Sequence, residues 1–158
     1  MLQCIVSAIC GGSRSEAETI MWKDCVPFVP PITSGYVIKV YDGDTITIAG
    51  RLPYPESRLY RFQVRLLGID SPEIKGKTEK EKEAAHKSQH ALEGLVLNKT
   101  VLLREISTEK YGRILANVYL VTEPGHELLV NKWMLTNGHA VPYDGKTKQL
   151  FDSDSSIV

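Results

Sequence analysis

The chain has 158 residues, of which 42% are apolar, so it is long and apolar enough for one domain with its own hydrophobic core. Its 19 Lys and Arg balance its 19 Asp and Glu. This balance excludes a chain that consists mainly of a polybasic arm or of an acidic disordered segment. No apolar run approaches the roughly 20 residues that a membrane-spanning helix needs. Residues 58–113 nevertheless carry twelve Lys and Arg against eight Asp and Glu, a surplus compatible with a polyanionic ligand.

Residues 1–34 are predicted to form an N-terminal extension. Three prolines within five positions, at 27, 30 and 31, favour an extended lead-in on the surface of the domain. The apolar stretch at 2–9 is short and lacks the basic start of a secretory signal. The three cysteines, Cys4, Cys10 and Cys25, fit neither a disulfide framework nor a zinc site. Together these features favour unpaired thiols and an intracellular location.

Alternating apolar residues predict three strands after the extension. The first two, at 35–41 and 44–49, are separated by Asp42-Gly43, which is a strong hairpin signal. A proline-containing loop at 50–58 precedes a second alternating segment, which predicts a strand at 59–69.

A capping-box pattern, Thr78 with Glu81, begins a predicted helix at 79–97. Glu83 and Lys87 are spaced for an ion pair on the exposed face of that helix. His86 and His90 share the spacing of a zinc pair, but no partner pattern surrounds them, and we expect them to face solvent.

Two further strands are predicted at 101–106 and 114–121, where β-branched residues are frequent. A short helix follows near residues 129–134 and is stopped by Asn137-Gly138, with Trp133 and His139 packing around it. The polar end of the chain, 149–158, is predicted to be a flexible tail. Five strands and two helices suit a small closed or partly closed barrel, an architecture whose groove can accommodate oligonucleotides.

Two carboxylates and two arginines have the chemistry of a metal-assisted phosphate site. Asp44 and Asp70 stand at predicted strand ends and could hold one hard cation such as Ca²⁺, completed by a carbonyl and waters. The planar guanidinium groups of Arg65 and Arg113 can each donate two parallel hydrogen bonds to a phosphoryl group. Taken singly, each of these residues is an ordinary strand-end or turn side chain.

A third carboxylate, Glu73, follows Asp70 at a fixed offset because Pro72 keeps the chain extended between them, and it could face a metal-bound water. Strand parity separates Arg65 from Asp70, since they fall on opposite faces of an ideal strand. Only a bend or a twist would bring these two side chains together.

Three motifs in order give the sequence a specific resemblance. They are VYDGDT at 40–45, VRLLGIDSPE at 64–73 and EKYGR at 109–113, with weaker matches LVN at 129–131 and NGHA at 137–140. With them the sequence resembles the staphylococcal nuclease, or thermonuclease, family over residues 35–148. The resemblance implies an α+β, mainly β fold: a five-stranded OB-fold barrel with two or three helices. It also implies a monomeric Ca²⁺-dependent phosphodiesterase that hydrolyses single-stranded DNA and RNA to 3′-phosphate products.

The resemblance also implies roles for individual residues. Asp44 and Asp70 would bind Ca²⁺ with the backbone carbonyl of Ser71, where the family more usually has Thr. Glu73 would act as the general base or position the attacking water. The residues that would bind and stabilise the phosphate are Arg65 and Arg113, and those that would contact the nucleotide are Lys110, Tyr111 and Tyr143.

Two departures from the family pattern keep a second function open. The segment after residue 148 is too short and polar for the family's usual third helix, and the balanced net charge is low for a strongly binding nuclease. The alternative is a non-catalytic barrel that binds nucleic acid or a protein. Such a copy would be expected to have lost one of the five catalytic or metal-binding side chains, and this sequence retains all of them.

Overall fold

The computed structural model describes residues 19–75, 78–123 and 125–145. A 3₁₀ turn, Trp22–Asp24, precedes the strands and helices of the described part, which are as follows. In chain order they are β1 (Ser34–Asp42), β2 (Thr45–Arg51), β3 (Leu59–Leu66), β4 (Ile69–Asp70), α1 (Glu79–Val96), β5 (Thr100–Thr108), β6 (Ile114–Glu123), β7 (His126–Leu129), α2 (Val130–Thr136) and β8 (Val141–Pro142).

Five of the strands close into a barrel. β1 pairs with β2, β2 with β3, β1 with β5 and β5 with β6, all antiparallel. The barrel is completed by a parallel pairing of β3 with β6, in which Val64 lies opposite Ile114. β7 extends the sheet beyond β6, and β4 pairs with β8 in a separate two-stranded sheet. The predicted five-stranded barrel with helices, an α+β and mainly β fold, is therefore confirmed.

The barrel interior and the two helices share one aliphatic core. Its fully buried members include Ile46 and Ile48 of β2, Leu92 of α1 and Met134 of α2. Burying each such side chain stabilises the fold by about 1.5–3 kcal/mol. Because this core fixes the strands, the polar residues at the strand ends are held on a rigid frame.

The first helix begins where the capping pattern predicts. The Thr78 hydroxyl oxygen accepts a hydrogen bond from the backbone N–H of Glu81 at 3.1 Å. Glu83 and Lys87 form the expected ion pair at 2.8 Å. His86 and His90 are exposed, as predicted. The helix ends one residue earlier than expected, at Val96.

One predicted strand is wrong. Residues 59–69 do not form one continuous strand, because β3 ends at Leu66 and β4 starts only at Ile69. Gly68 lies between them with a φ of +76°, a conformation that breaks a strand and that glycine adopts without strain. The alternation alone carries no signal for this turn.

The predicted hairpin forms, with its turn shifted by one residue. Asp42 and Thr45 are paired at the ends of β1 and β2, so Gly43 and Asp44 are the two turn residues. The backbone N–H of Asp44 donates to the Asp42 carboxylate at 3.2 Å, which stabilises the turn locally.

The second helix is confirmed, and its surroundings contain elements that periodicity missed. Gly138, with a φ of +69°, follows its end, and Trp133 stacks on His139 with ring centroids 5.6 Å apart. The strands β7 and β8 were not predicted, since they have only four and two residues and β8 contains Pro142.

Part of the predicted extension joins the domain. Ile32 is buried in the core, and the carbonyl of Thr33 accepts a hydrogen bond from Leu103 of β5 at 2.8 Å. Phe28 is exposed, and Cys25 is an exposed free thiol. Cys4, Cys10 and the predicted tail at 149–158 lie outside the described residues. None of the helices in the described ranges has the length and apolar character needed to cross a membrane.

Candidate active site

An open cleft of about 710 Å³ lies at the end of the barrel where the hairpin turn, the turn at Gly68 and the β5–β6 turn converge. Every site residue predicted from the sequence lines it. These residues are Asp44, Arg65, Asp70, Ser71, Glu73, Lys110, Tyr111, Arg113 and Tyr143. The three motifs, which are distant in the sequence, thus meet at one surface.

Arg65 holds the two aspartates side by side. Its Nη1 lies 2.8 Å from an Asp44 carboxylate oxygen, and its Nη2 lies 2.6 Å from one of Asp70. The aspartate side chains are almost fully buried, at 2% and 4% exposure, and that of Arg65 is 13% exposed. The turn at Gly68 interrupts the strand between Arg65 and Asp70, so the parity that separates them in an ideal strand does not apply.

Asp44 is fixed by two further hydrogen bonds. One carboxylate oxygen accepts from the backbone N–H of Ser71 at 3.1 Å, and the other accepts from the Thr45 hydroxyl at 2.8 Å. Burial, followed by the negative charge of Asp42, raises the pKa of Asp44 to about 6, although Arg65 acts in the opposite direction. The Asp44 carboxylate is therefore poorly solvated and lies near a second negative charge, that of Asp42.

The Arg65 guanidinium responds to the same charges. Burial lowers its pKa, but the attraction of Asp44 and the hydrogen bond to Asp70 outweigh burial, so the pKa of Arg65 lies above its ordinary value. Arg65 is thus a permanent cation between two carboxylates.

Arg113 reaches the same cluster from the start of β6. Its Nε contacts the carboxylate of Glu109, and its Nη1 lies 3.5 Å from the Thr45 hydroxyl. Because Thr45 also donates to Asp44, the two arginines are linked through Thr45 and Asp44. From the sequence alone, neither Thr45 nor Glu109 is assigned a role. Both lie within the quoted motifs, next to charged residues, and this position was a signal that their side chains belong to the site.

Aromatic and basic residues of two loops complete the β6 side of the cleft. The Lys110 ammonium lies 4.9 Å from the centre of the exposed Tyr111 ring, and Arg65 lies 5.8 Å from the Tyr143 ring. The backbone N–H of Tyr143 donates to the carbonyl of Gly68 at 3.0 Å, so the turn that positions Asp70 also positions Tyr143.

Glu73 follows the buried Ser71 and Pro72 and is exposed on the cleft wall. Because Ser71 and Pro72 are buried, the exposed Glu73 side chain is attached to a fixed segment of backbone. Its position adds a third carboxylate to the lining of the cleft that contains Asp44 and Asp70.

The donor set of the cleft fits a hard cation. Within the described ranges, no three His, Cys, Asp or Glu side chains form a group able to hold a metal. A cation at Asp44 and Asp70 would need carbonyl and water oxygens as well, which Ca²⁺ accepts in loose geometry. The described residues that line the cleft include neither His nor Cys, the ligands that zinc and softer metals prefer.

Gly43 packs where the hairpin turn meets α1 and the segment after β4. A Cβ at this position would lie 1.7 Å from the Ser88 hydroxyl oxygen and 2.8 Å from the Ser71 Cβ. The Ser88 hydroxyl in turn donates to the carbonyl of His139 at 2.7 Å, so it has little freedom to move.

Replacing Gly43 with alanine should therefore lower the free energy of unfolding by about 1–3 kcal/mol, the usual cost of overpacking a tight contact. Urea denaturation would measure this change. Gly94→Ala is the matched control, because no atom lies within 4 Å of a Cβ on this helical glycine. The control should stabilise the protein by about 0.5–1 kcal/mol, and equal effects of the two variants would refute the packing argument.

Comparison with known proteins agrees with this geometry. A sequence model described as "Staphylococcal nuclease homologue" matches residues 63–156, more than half of the chain. The chain belongs to the staphylococcal nuclease family.

Several relatives of this family member carry informative names. An "Uncharacterized endonuclease" of Escherichia coli is 33% identical over 110 residues, which are 70% of this chain and 61% of that protein. "Protein ParB" of Escherichia coli is 32% identical over 114 residues, covering 69% of this chain and 56% of that protein. "Probable endonuclease LCL3" of Komagataella phaffii is 34% identical over 94 residues, covering 58% of this chain and 40% of that protein. The chain thus spans less than two thirds of the length of these relatives.

Proposed function

We propose that this chain is a Ca²⁺-dependent nuclease that hydrolyses single-stranded DNA and RNA to 3′-phosphate products. The observation that carries the proposal is the buried Asp44–Arg65–Asp70 cluster, which opens onto a cleft containing Glu73 and Arg113. Family membership and the endonuclease names of two relatives support it. All the proposed groups come from one chain, so a monomer suffices for the reaction.

Asp44, Asp70 and the carbonyl of Ser71 would hold the metal. Bound Ca²⁺ supplies positive charge that polarises the phosphodiester. Arg65 keeps the two aspartates at a fixed separation and adds a permanent positive charge beside them.

The remaining residues would act on water and phosphate. Glu73 accepts a proton from the attacking water, and the water oxygen bonds to phosphorus as the bond between phosphorus and the 5′ oxygen breaks. The 5′ oxygen takes a proton from solvent and leaves as a hydroxyl, and the phosphate stays on the 3′ side. Arg113, oriented by Glu109, donates hydrogen bonds to phosphate oxygens as their charge grows. Lys110, Tyr111 and Tyr143 contact the neighbouring nucleotide.

Removal of the metal tests the proposal. Purified protein with Ca²⁺ should cleave single-stranded DNA and RNA at least ten-fold faster than in the presence of a chelator, because the chelator removes the positive charge that polarises the phosphodiester. Gel analysis of end-labelled oligonucleotides, with and without phosphatase treatment, measures both the rate and the 3′-phosphate ends. A folded protein that binds the oligonucleotides in chelator and does not cleave them once Ca²⁺ is restored would establish the non-catalytic binding module instead.

A further inference from the structure

The β1 side of the cleft carries a lysine and tyrosine to which neither the motifs nor the proposed reaction assigns a role. Tyr41, near the end of β1, is 54% exposed and lines the cleft. The ammonium of Lys39, which also lines the cleft, lies 5.7 Å from the centre of the Tyr41 ring. This pair has the same composition as Lys110 with Tyr111, where the corresponding distance is 4.9 Å.

The backbone beneath Tyr41 is anchored to the first helix. The side-chain amide of Gln89 donates to the carbonyl of Tyr41 at 3.0 Å and lies 3.4 Å from that of Val40. An exposed ring on an anchored strand end can be contacted by a ligand at little cost in backbone order.

Strand order places the two lysine–tyrosine pairs on opposite sides of the aspartates. Across the cleft end of the barrel, Asp42 of β1 pairs with Thr45, Thr45 with Arg65, and Arg65 with Leu115 of β6. On the side of the barrel that carries the aspartates, β1 and β6 are thus three strand spacings apart, or about 14 Å. Through β5, on the other side, they are two spacings apart, or about 10 Å. Since a stacked single strand rises about 3.4 Å per nucleotide, even the shorter path corresponds to about three nucleotides.

Tyr41 and Lys39 have the chemistry of a site for single-stranded nucleic acid. Every base presents a flat face to an exposed aromatic ring, and an adjacent ammonium neutralises backbone phosphate. A duplex keeps its base faces stacked inside the helix, so a lone exposed ring favours single strands. Exposed Tyr36 lies on the same strand but does not line the cleft, so exposure of tyrosine is not by itself the distinguishing feature.

We propose that Tyr41 and Lys39 form a second nucleotide-binding subsite, across the aspartates from Lys110 and Tyr111. Tyr41 stacks on a base and Lys39 contacts a phosphate of the same strand. The subsite rests on the proposed function only in that the cleft receives nucleic acid. It binds a part of the strand that lies beyond the nucleotides at the reacting phosphate.

Binding without cleavage tests the subsite. The probe is a fluorescein-labelled thymidine hexanucleotide, with binding followed by fluorescence anisotropy in chelator. Tyr41→Ala should raise the Kd by about ten-fold, within the range for loss of one base–aromatic stack. Tyr41→Phe keeps the ring and should retain the wild-type Kd. The matched control is Tyr36→Ala, whose ring is 45% exposed and outside the cleft, and it should leave the Kd unchanged.

Length and salt dependence separate the subsite from a general loss of binding. With a thymidine dinucleotide, which is too short to reach both pairs, Tyr41→Ala should change the Kd far less than with the hexanucleotide. Lys39→Gln should reduce the slope of log K against log salt by about 0.7, the value for one phosphate contact on a single strand.

The outcomes distinguish this subsite from the proposed reaction. The subsite is overturned if the wild-type protein does not bind the hexanucleotide, or if Tyr41→Ala binds it as well as Tyr36→Ala does, whether or not Ca²⁺-dependent cleavage occurs. Hexanucleotide binding that depends on the Tyr41 ring, in a protein that never cleaves, would support the subsite and refute the nuclease proposal. Unchanged melting temperatures of the variants exclude misfolding as the cause of weaker binding.

Discussion

Replacing Glu73 with glutamine should lower kcat for single-stranded DNA by about 10²- to 10⁴-fold, the usual contribution of a general base. Glutamine keeps the size of the side chain but cannot accept the proton of the attacking water. Since Glu73 is exposed on the cleft wall and lies outside the core, the melting temperature should stay close to that of the wild type. Initial rates across a range of substrate concentrations at fixed Ca²⁺ would measure the effect.

Separate values of kcat and KM make this result specific. Removing a group that acts only in the transition state lowers kcat and leaves KM nearly unchanged. Removing a group that merely attracts metal or substrate instead raises the concentration of metal or substrate that the enzyme requires. Glu83→Gln, on the solvent face of α1, removes a carboxylate of similar exposure that forms an ion pair with Lys87, and it should leave both parameters unchanged. Wild-type turnover in folded Glu73→Gln would eliminate Glu73 as the base.

The order of the motifs predicted which residues would meet, and alternation predicted most of the barrel. Asp44, Arg65 and Arg113 lie in three separate motifs, and the structure brings all three to one cleft. Strand alternation succeeded because the barrel strands bury one face, so a period of two appears directly in the sequence. It failed at residues 59–69, where a single glycine with a positive φ ends one strand without disturbing the apolar pattern.

Side-chain pairing within the site was much less predictable. The sequence predicts that Arg65 binds phosphate, but it does not indicate that both of its terminal nitrogens lie beside the carboxylates of Asp44 and Asp70. Likewise, the alternation of apolar and polar residues does not indicate that the Thr45 hydroxyl lies between the side chains of Asp44 and Arg113. Arg65 reaches Asp44 across the β2–β3 pairing. The contact between Arg113 and Thr45 depends on the closure of the barrel through β3 and β6, a pairing between strands far apart in sequence.

The bridging position of Arg65 leads to the second large expected effect, which concerns stability. Arg65→Met keeps much of the side-chain volume but removes the cation shared by two buried aspartates. Breaking a buried ion pair by removing one partner usually costs about 3–5 kcal/mol, because the remaining charge stays in a poorly solvated place. In chelator, therefore, the free energy of unfolding of Arg65→Met should fall by that amount, as measured by urea denaturation or as a lower melting temperature.

Arg104→Met provides the matched control, because Arg104 forms a similar 2.7 Å ion pair with Glu127 but is half-exposed. An exposed pair contributes only about 0–1 kcal/mol, so this variant should remain close to the wild type. Ca²⁺ should stabilise Arg65→Met more than it stabilises the wild type, since a cation bound at Asp44 and Asp70 replaces part of the missing charge. Equal losses in the two arginine variants would show that Arg65 packs at the cleft without compensating the aspartates, and equal stabilisation by Ca²⁺ would place the metal elsewhere.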